Sequence, residues 1–266
     1  MSDAPKVGDV LVMVGTKKGS FLFWSDPARM QWQRSQHHRG WMVHHLAHDP
    51  RDNSIYAATN SGNYDGVVQR TPDFGATWER RSEKLDFPAE SEHRVRKVWH
   101  LAPKPNGSPG HLYAGVERAG LFTTDDFGAT WNGVDGLNNH EHSPDWQPGG
   151  GGLMVHTILV DPREPNRIYV AISAAGTYRS DDGGMTWTAK NKNVRADWAP
   201  LASGLPDTAY LTVLREAMAL DSADRCGVYV GTETGQLFFS PNGGDRWELM
   251  ADLLPPIYSV STGRVA

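Results

Sequence analysis

Two kinds of side chain in this sequence could do chemistry. The first are carboxylates: Asp65, Glu117 and Glu233 are the candidate catalytic groups, because cleavage of a glycosidic bond needs two carboxyl groups facing each other across a sugar ring. The second are imidazoles. His45, His100 and His156 each stand shortly before a proline, at the start of a short apolar run, and Arg215-Glu216 occupies the corresponding place late in the chain. Imidazoles gathered in this way could transfer protons, bind an anion or hold a metal, and spacing does not settle which. Trp99 and Arg118 adjoin these groups in sequence, and the stretch 140–152 adds Trp146, a ring able to stack on a sugar, among polar residues and glycines. The candidate ligand-binding set is therefore His45, Trp99, His100, Arg118, Trp146, His156, Arg215 and Glu216. No metal and no cofactor is assigned.

The elements that must position these groups come from internal repetition. Thr71-Pro-Asp73-Phe-Gly75-Ala-Thr77-Trp78, Thr124-Asp-Asp126-Phe-Gly128-Ala-Thr130-Trp131 and Ser180-Asp-Asp182-Gly-Gly184-Met-Thr186-Trp187 are copies of one motif. Ser240-Pro-Asn242-Gly-Gly244-Asp-Arg246-Trp247 is a fourth copy, and Ser25 to Trp32 keeps only the ends. An Asp or Asn that accepts backbone N–H bonds across a turn, followed by a Gly at positive φ, makes a hairpin. Asp73, Asp126, Asp182 and Asn242 are accordingly turn residues, not catalytic acids. Runs such as Leu112-Tyr-Ala-Gly-Val116 and Val228-Tyr-Val-Gly-Thr232 precede the motif and read as strands. One repeat is thus strand, turn, strand, loop, strand, Asp turn, strand.

That is the four-stranded blade of a β-propeller. The fold class is all-β, with about five blades in one domain over residues 1–266. Ile257 to Val260 reads as an inner strand with no successors, and Val10 to Thr16 as a second strand with no predecessor, so the C-terminal strand closes the first blade. The long loops 33–43, 80–96, 132–153 and 188–214 are where binding groups are expected on such a scaffold.

Composition narrows the partners. The 26 basic and 31 acidic residues give a formal charge of −5 with no dense basic block, which argues against nucleic acid. Val10 to Val14 is too short for a membrane span or a signal segment. Cys226 is the only cysteine, so no intrachain disulfide forms, and a cytoplasmic protein is expected. No phosphate-binding glycine loop and no nucleophile elbow occurs. The expected partner is a carbohydrate or another protein, not a membrane.

Through these motifs the chain resembles the Asp-box, or BNR, repeat proteins of the sialidase-like superfamily. That group also includes xyloglucanase-type glycosidases, sortilin-type receptors and photosystem assembly factors. More narrowly it is similar to bacterial proteins named BNR-repeat glycosyl hydrolases or YVTN-BNR-like repeat proteins, through Val14-Gly-Thr-Lys-Lys-Gly19, Trp99-His-Leu101, Trp146-Gln-Pro-Gly149 and Asn191-Lys-Asn-Val-Arg-Ala-Asp197. The resemblance implies a propeller, and it implies either recognition of a ligand or glycoside hydrolysis, because receptors and enzymes share the box. Two departures qualify it. The Arg-Ile-Pro element of a sialidase is absent, and between Asn191 and Pro206 two blade exits follow one another with no box between them. Larger relatives would carry about two further blades there, so a loss of repeats near residues 199–203 is expected.

Overall fold

The computed structural model describes residues 4–61, 64–81, 85–148, 152–173, 175–190, 204–205 and 212–266. The region 199–203, where a loss of repeats is expected, lies outside them. Strands dominate. β1 (Val10–Thr16), β2 (Gly19–Ser25) and β3 (Gln33–His37) open the chain, followed by β4 (Met42–Asp49), β5 (Ser54–Ser61), β6 (Tyr64–Thr71) and β7 (Glu79–Arg80). Next come β8 (Val98–Pro103), β9 (Leu112–Val116), β10 (Leu121–Thr124) and β11 (Asn132–Gly133), then β12 (Val155–Val160), β13 (Ile168–Ile172), β14 (Gly176–Ser180) and β15 (Thr188–Ala189). β16 (Met218–Leu220), β17 (Val228–Gly231), β18 (Leu237–Ser240), β19 (Glu248–Ala251) and β20 (Ile257–Arg264) complete the series.

They form five four-stranded sheets, ordered β20-β1-β2-β3, β4-β5-β6-β7, β8 to β11, β12 to β15 and β16 to β19. The expected propeller blades are all present. β20 pairs with β1 from Val10↔Arg264 to Thr16↔Ile257, so the C-terminal strand does complete the first blade. No helix among the described residues is long and apolar enough to cross a membrane.

The box residues explain the turns. The Asp126 carboxylate accepts the Thr130 N–H at 2.8 Å, the Thr130 hydroxyl at 2.6 Å and the Thr124 hydroxyl at 2.8 Å, while the Gly128 N–H donates to Thr124 Oγ1 at 3.1 Å. Asp73 and Asp182 repeat the pattern. Asn242 keeps only part of it, accepting from the Ser240 hydroxyl and the Arg246 N–H. Two successive residues lie at positive φ, 62° at Phe127 and 83° at Gly128, and the second is a glycine in every copy of the full motif. Burial pushes the Asp126 pKa up, but hydrogen bonds from Thr130 and Thr124 outweigh it, and the carboxyl lies below its ordinary value.

The chain divides into two compact units. Unit 1 is Met1–Ala57, Thr71–Thr77 and Ala196–Ala266; unit 2 is Ala58–Arg70 and Trp78–Arg195. In unit 1, β1 and β2 are buried along their whole length, because one face packs Val12, Val14 and Phe23 onto Tyr229, Phe239 and Ile257, and the other packs Leu11 and Trp24 onto Val265. In unit 2, Tyr113, Leu121, Leu137, Ile158, Tyr178 and Trp187 share one core. Fully burying a large apolar side chain contributes about 1.5–3 kcal/mol, so these clusters set the stability of each unit.

Candidate functional site

A concavity in unit 2 is built around the turn that joins β9 to β10. Arg118 and Ala119 stand there at φ 71° and 57°, in the left-handed region that non-glycine residues seldom occupy. The surroundings hold them in place. The Glu117 N–H donates to Lys97 O at 3.0 Å, the Arg118 N–H to Leu153 O at 2.6 Å, and Glu117 forms a bridge with Met154. Gly120 follows because a Cβ there would lie 2.6 Å from Phe87 Cζ and 2.8 Å from Val116 Cγ2.

On one side of this turn Phe87 packs edge-on against Phe122 and His93, with ring centroids 5.3 and 5.8 Å away. On the other, a short helix, α1 (Asp135–Asn138), places the Asn138 amide to accept from Leu121 N at 2.8 Å and donate to Leu121 O at 3.1 Å. A 3-10 turn over Ser143–Asp145 then delivers Trp146. Between these walls lies a groove of about 450 Å³, lined by Phe87, His93, Arg118, Asn138, Ser143 and Gln147 among others.

A second cavity of about 200 Å³ adjoins it, lined by Glu92, His93, Arg94, Arg96, Glu117 and Arg118. The two share His93 and Arg118. Glu117 lies 3.7 Å from Lys97 Nζ, and Arg94 lies 3.8 Å from Asp86 while donating to the Ser91, His93 and Ala89 carbonyls. Arg96 and Arg118 have no carboxylate partner among the described residues. The site therefore combines an aromatic wall, amide and hydroxyl groups, and two guanidiniums with free donors.

Trp146 differs from the expected stacking platform. It is 9% exposed and belongs to the core of unit 2. Its Nε1 donates to the Tyr178 hydroxyl at 3.0 Å, and His140 stacks on it at 6.2 Å between centroids. It floors the groove and offers little ring face to a ligand. The reason is local: the 3-10 turn over Ser143–Asp145 leads into Trp146, whose ring packs in the core of unit 2.

The remaining candidates divide between the units. In unit 2, Asp65 is exposed on β6, Trp99 is half-buried and His100 buried on β8, and His156 is half-buried with Nδ1 2.9 Å from Thr157 Oγ1. The ladder of β8 slips between Val98 and His100, and that of β12 between Val155 and Thr157. His156 is thus the structural counterpart of Trp99, not of His100, and the imidazoles do not repeat at one blade position. In unit 1, His45 is buried on β4, Glu216 bridges to Ser259 of β20, and Arg215 and Glu233 are exposed. Of the three candidate catalytic carboxylates, Asp65 and Glu117 belong to unit 2 and Glu233 to unit 1.

Phe87, His93, Asn138 and Gln147 were not singled out by residue type, although two long loops carry them. Length was the available signal; nothing in the composition of 85–95 marks Phe87 as a wall.

Residues 178–189, spanning the third box, match the BNR/Asp-box repeat family. The chain carries the BNR/Asp-box repeat. It is 30% identical over 244 residues to Xyloglucanase Xgh74A of Acetivibrio thermocellus, covering 84% of this chain and 27% of that one. It is 29% identical over 203 residues to a xyloglucanase of Paenibacillus sp, covering 67% of this chain and 20% of the other. The chain thus spans about a quarter of the length of the curated relatives it matches. Among solved structures, the GH74 enzyme of Niastella koreensis superposes with a TM-score of 0.51 at 17% identity, over 94% of this chain and 46% of that one, which shows a common fold.

Proposed function

We propose that this Asp-box protein is a carbohydrate-recognition propeller whose ligand lies in the groove beside Arg118. The observation that carries the reading is the convergence on one concavity of an aromatic wall, Phe87 with His93, and the polar groups of Asn138, Ser143, Gln147 and Arg118. Sugar rings are amphipathic, with C–H faces that pack on aromatic carbon and hydroxyls that need paired donors and acceptors. The strained backbone at Arg118 and Ala119 supports it, because such strain gathers where side chains must be held for a ligand. The xyloglucanase relatives support the ligand class. Calorimetric titration with xyloglucan and uronate-bearing oligosaccharides tests the reading. Binding should appear with at least one of them and weaken about tenfold or more in Phe87→Ala and in Arg118→Ala. Absence of glycan binding, with a protein ligand captured on the same groove, would replace carbohydrate by protein as the partner.

A second reading, glycoside hydrolysis, rests on Glu92 and Glu117 lining the same small cavity. It requires one carboxyl protonated and the other ionised. Turnover of aryl glycosides that disappears in Glu117→Gln while binding remains would favour hydrolysis over recognition.

A further inference from the structure

At the turn from β2 to β3, unit 1 contains a cleft of about 460 Å³. One wall is the degenerate first box, Pro27 to Arg29, together with Arg264 at the end of β20; the other is the loop 221–225 between β16 and β17. Arg29 crosses from the first wall to the second. Its Nη1 donates to Asp221 Oδ2 at 2.8 Å and its Nη2 to Arg225 O at 3.0 Å, with the guanidinium 5.6 Å from the centre of the Phe239 ring. The Arg29 side chain is only 9% exposed, yet its Nε is buried with no hydrogen-bond partner. A buried idle donor is costly, about 1–3 kcal/mol, and the bonds made by Nη1 and Nη2 offset that cost.

Asp221 is fully engaged. Its carboxylate already accepts from Arg29, from the Tyr229 hydroxyl at 2.9 Å, and from the Gly227 and Ala223 N–H groups at 2.9 and 3.1 Å. With Arg29 and Asp221 neutralising each other, the remaining charged lining is Arg225 and Arg264, one on each wall, and Asp224. Neither guanidinium is ion-paired among the described residues. Two like charges facing one cleft repel, and an oxyanion between them relieves the repulsion while accepting paired N–H bonds from each fork.

We propose that this cleft binds a phosphate dianion, free or as the phosphomonoester of a small sugar. Arg225 and Arg264 clamp the phosphate, while the buried Arg29–Asp221 pair fixes the backbone of the loop 221–225 that presents Arg225. The volume exceeds that of a phosphate ion and leaves space for a body of monosaccharide size. The site belongs to unit 1, so it stands independently of the glycan groove of unit 2.

Calorimetric titration of the full chain in phosphate-free buffer at constant ionic strength tests the proposal, with inorganic phosphate, glucose 6-phosphate, glucose and magnesium chloride as probes. Phosphate binding is expected, weaker by about tenfold or more in Arg225→Gln/Arg264→Gln. Both replaced side chains are on exposed residues, so the double variant should keep the parent melting temperature without ligand. Tighter binding of glucose 6-phosphate identifies the phosphomonoester as the ligand; equal or weaker binding identifies free phosphate. The proposal is overturned if phosphate binds no better than chloride, if the double variant binds it like the parent, or if only magnesium binds.

Discussion

The indole N–H of Trp146 and the hydroxyl of Tyr178 meet at 3.0 Å across thirty-two residues of sequence, and both side chains are buried. The Tyr178 hydroxyl also lies 3.4 Å from His142 Nδ1, so the groove floor is tied to the strand β14 beneath it. Tyr178→Phe removes the acceptor and leaves a buried indole donor unsatisfied. Loss of about 1–3 kcal/mol is expected, seen as a lower denaturant midpoint with an unchanged slope. Glycan affinity should fall as well, because the 3-10 turn that carries Ser143 rests on the same ring. Full affinity in Tyr178→Phe would separate the floor from the binding site.

The Asp boxes respond to substitution according to how many bonds the replacement keeps. Asp126→Asn retains the Oδ1 acceptor used by the Thr130 N–H and Thr124 hydroxyl, and loses only the Oδ2 acceptor. It should cost about 1 kcal/mol, whereas Asp126→Ala, which loses all three bonds, should cost about 3 kcal/mol. The Asn242 box is nature's version of the milder change. Because the folded-state pKa of Asp126 is lowered, its contribution is present above the unfolded value near 4 and disappears as pH falls through the folded value. Acid unfolding of the parent should therefore steepen below about pH 4 and be shallower in Asp126→Asn.

How much of this was legible follows from the physics of each feature. Repeats of Asp, Gly and Trp specify a turn locally, with bonds spanning four residues, so blade number and the box roles of Asp73, Asp126, Asp182 and Asn242 follow from sequence. Closure by β20 was legible for the same reason: a lone inner strand and a lone second strand each lack a neighbour. The site was only half legible. Loop length marked 80–96 and 132–153 among four long loops, but burial of Trp146 depends on a 3-10 turn of polar residues that carries no apolar signal, and Leu137, fully buried in a loop of polar residues, signals the helix α1 only after the core is known. The slip in β12 had a trace in sequence: His156 stands six residues before Pro162, as Trp99 stands six before Pro105. Counting back from the proline aligns His156 with Trp99, and the register confirms that alignment.

His38 gives unit 1 a pH response on the acid side of neutrality. Burial, reinforced by the charge of His37, lowers its pKa to about 4, and its Nδ1 lies 2.8 Å from Ser20 Oγ. The neutral ring is the folded form. A histidine depressed in the folded state costs nothing above the unfolded value of about 6.5, and stability declines as pH falls from there towards 4, where the folded state takes up the proton. The decline attributable to His38 should reach about 3 kcal/mol at most. His38→Gln should flatten stability between pH 6.5 and 4, a window above that of the box aspartates, when both are followed by urea unfolding at each pH. An unchanged profile would show that His38 is accommodated when charged.

Removing residues 255–266 should unfold unit 1. β20 pairs with β1 from Val10↔Arg264 to Thr16↔Ile257, and the segment contributes Ile257 and Val260 from β20, and Val265 just after it, to the two cores that cover β1 and β2. Three such side chains are worth about 5–9 kcal/mol, comparable with the whole stability of a small domain, about 5–15 kcal/mol. The fit is also close: a Cβ on Gly15 would meet Ser259 Oγ and Val43 O at 2.5 Å, so nothing bulkier replaces this strand. Loss of β20 also leaves β1 as an exposed edge of apolar residues, which favours aggregation. The truncated chain should lose its main unfolding transition, or show a melting temperature lower by about 10 °C or more. Deleting Ala266 alone should lower the transition only slightly, since that residue is exposed, lies beyond β20 and gives up only its two hydrogen bonds to Asn53. A synthetic peptide of residues 255–266 added in excess should restore the transition by pairing with β1, and the restored melting temperature should rise with peptide concentration. An unaltered melting temperature after truncation would mean that β2 and β3 suffice to hold β1, and that closure by the C-terminal strand contributes little to unit 1.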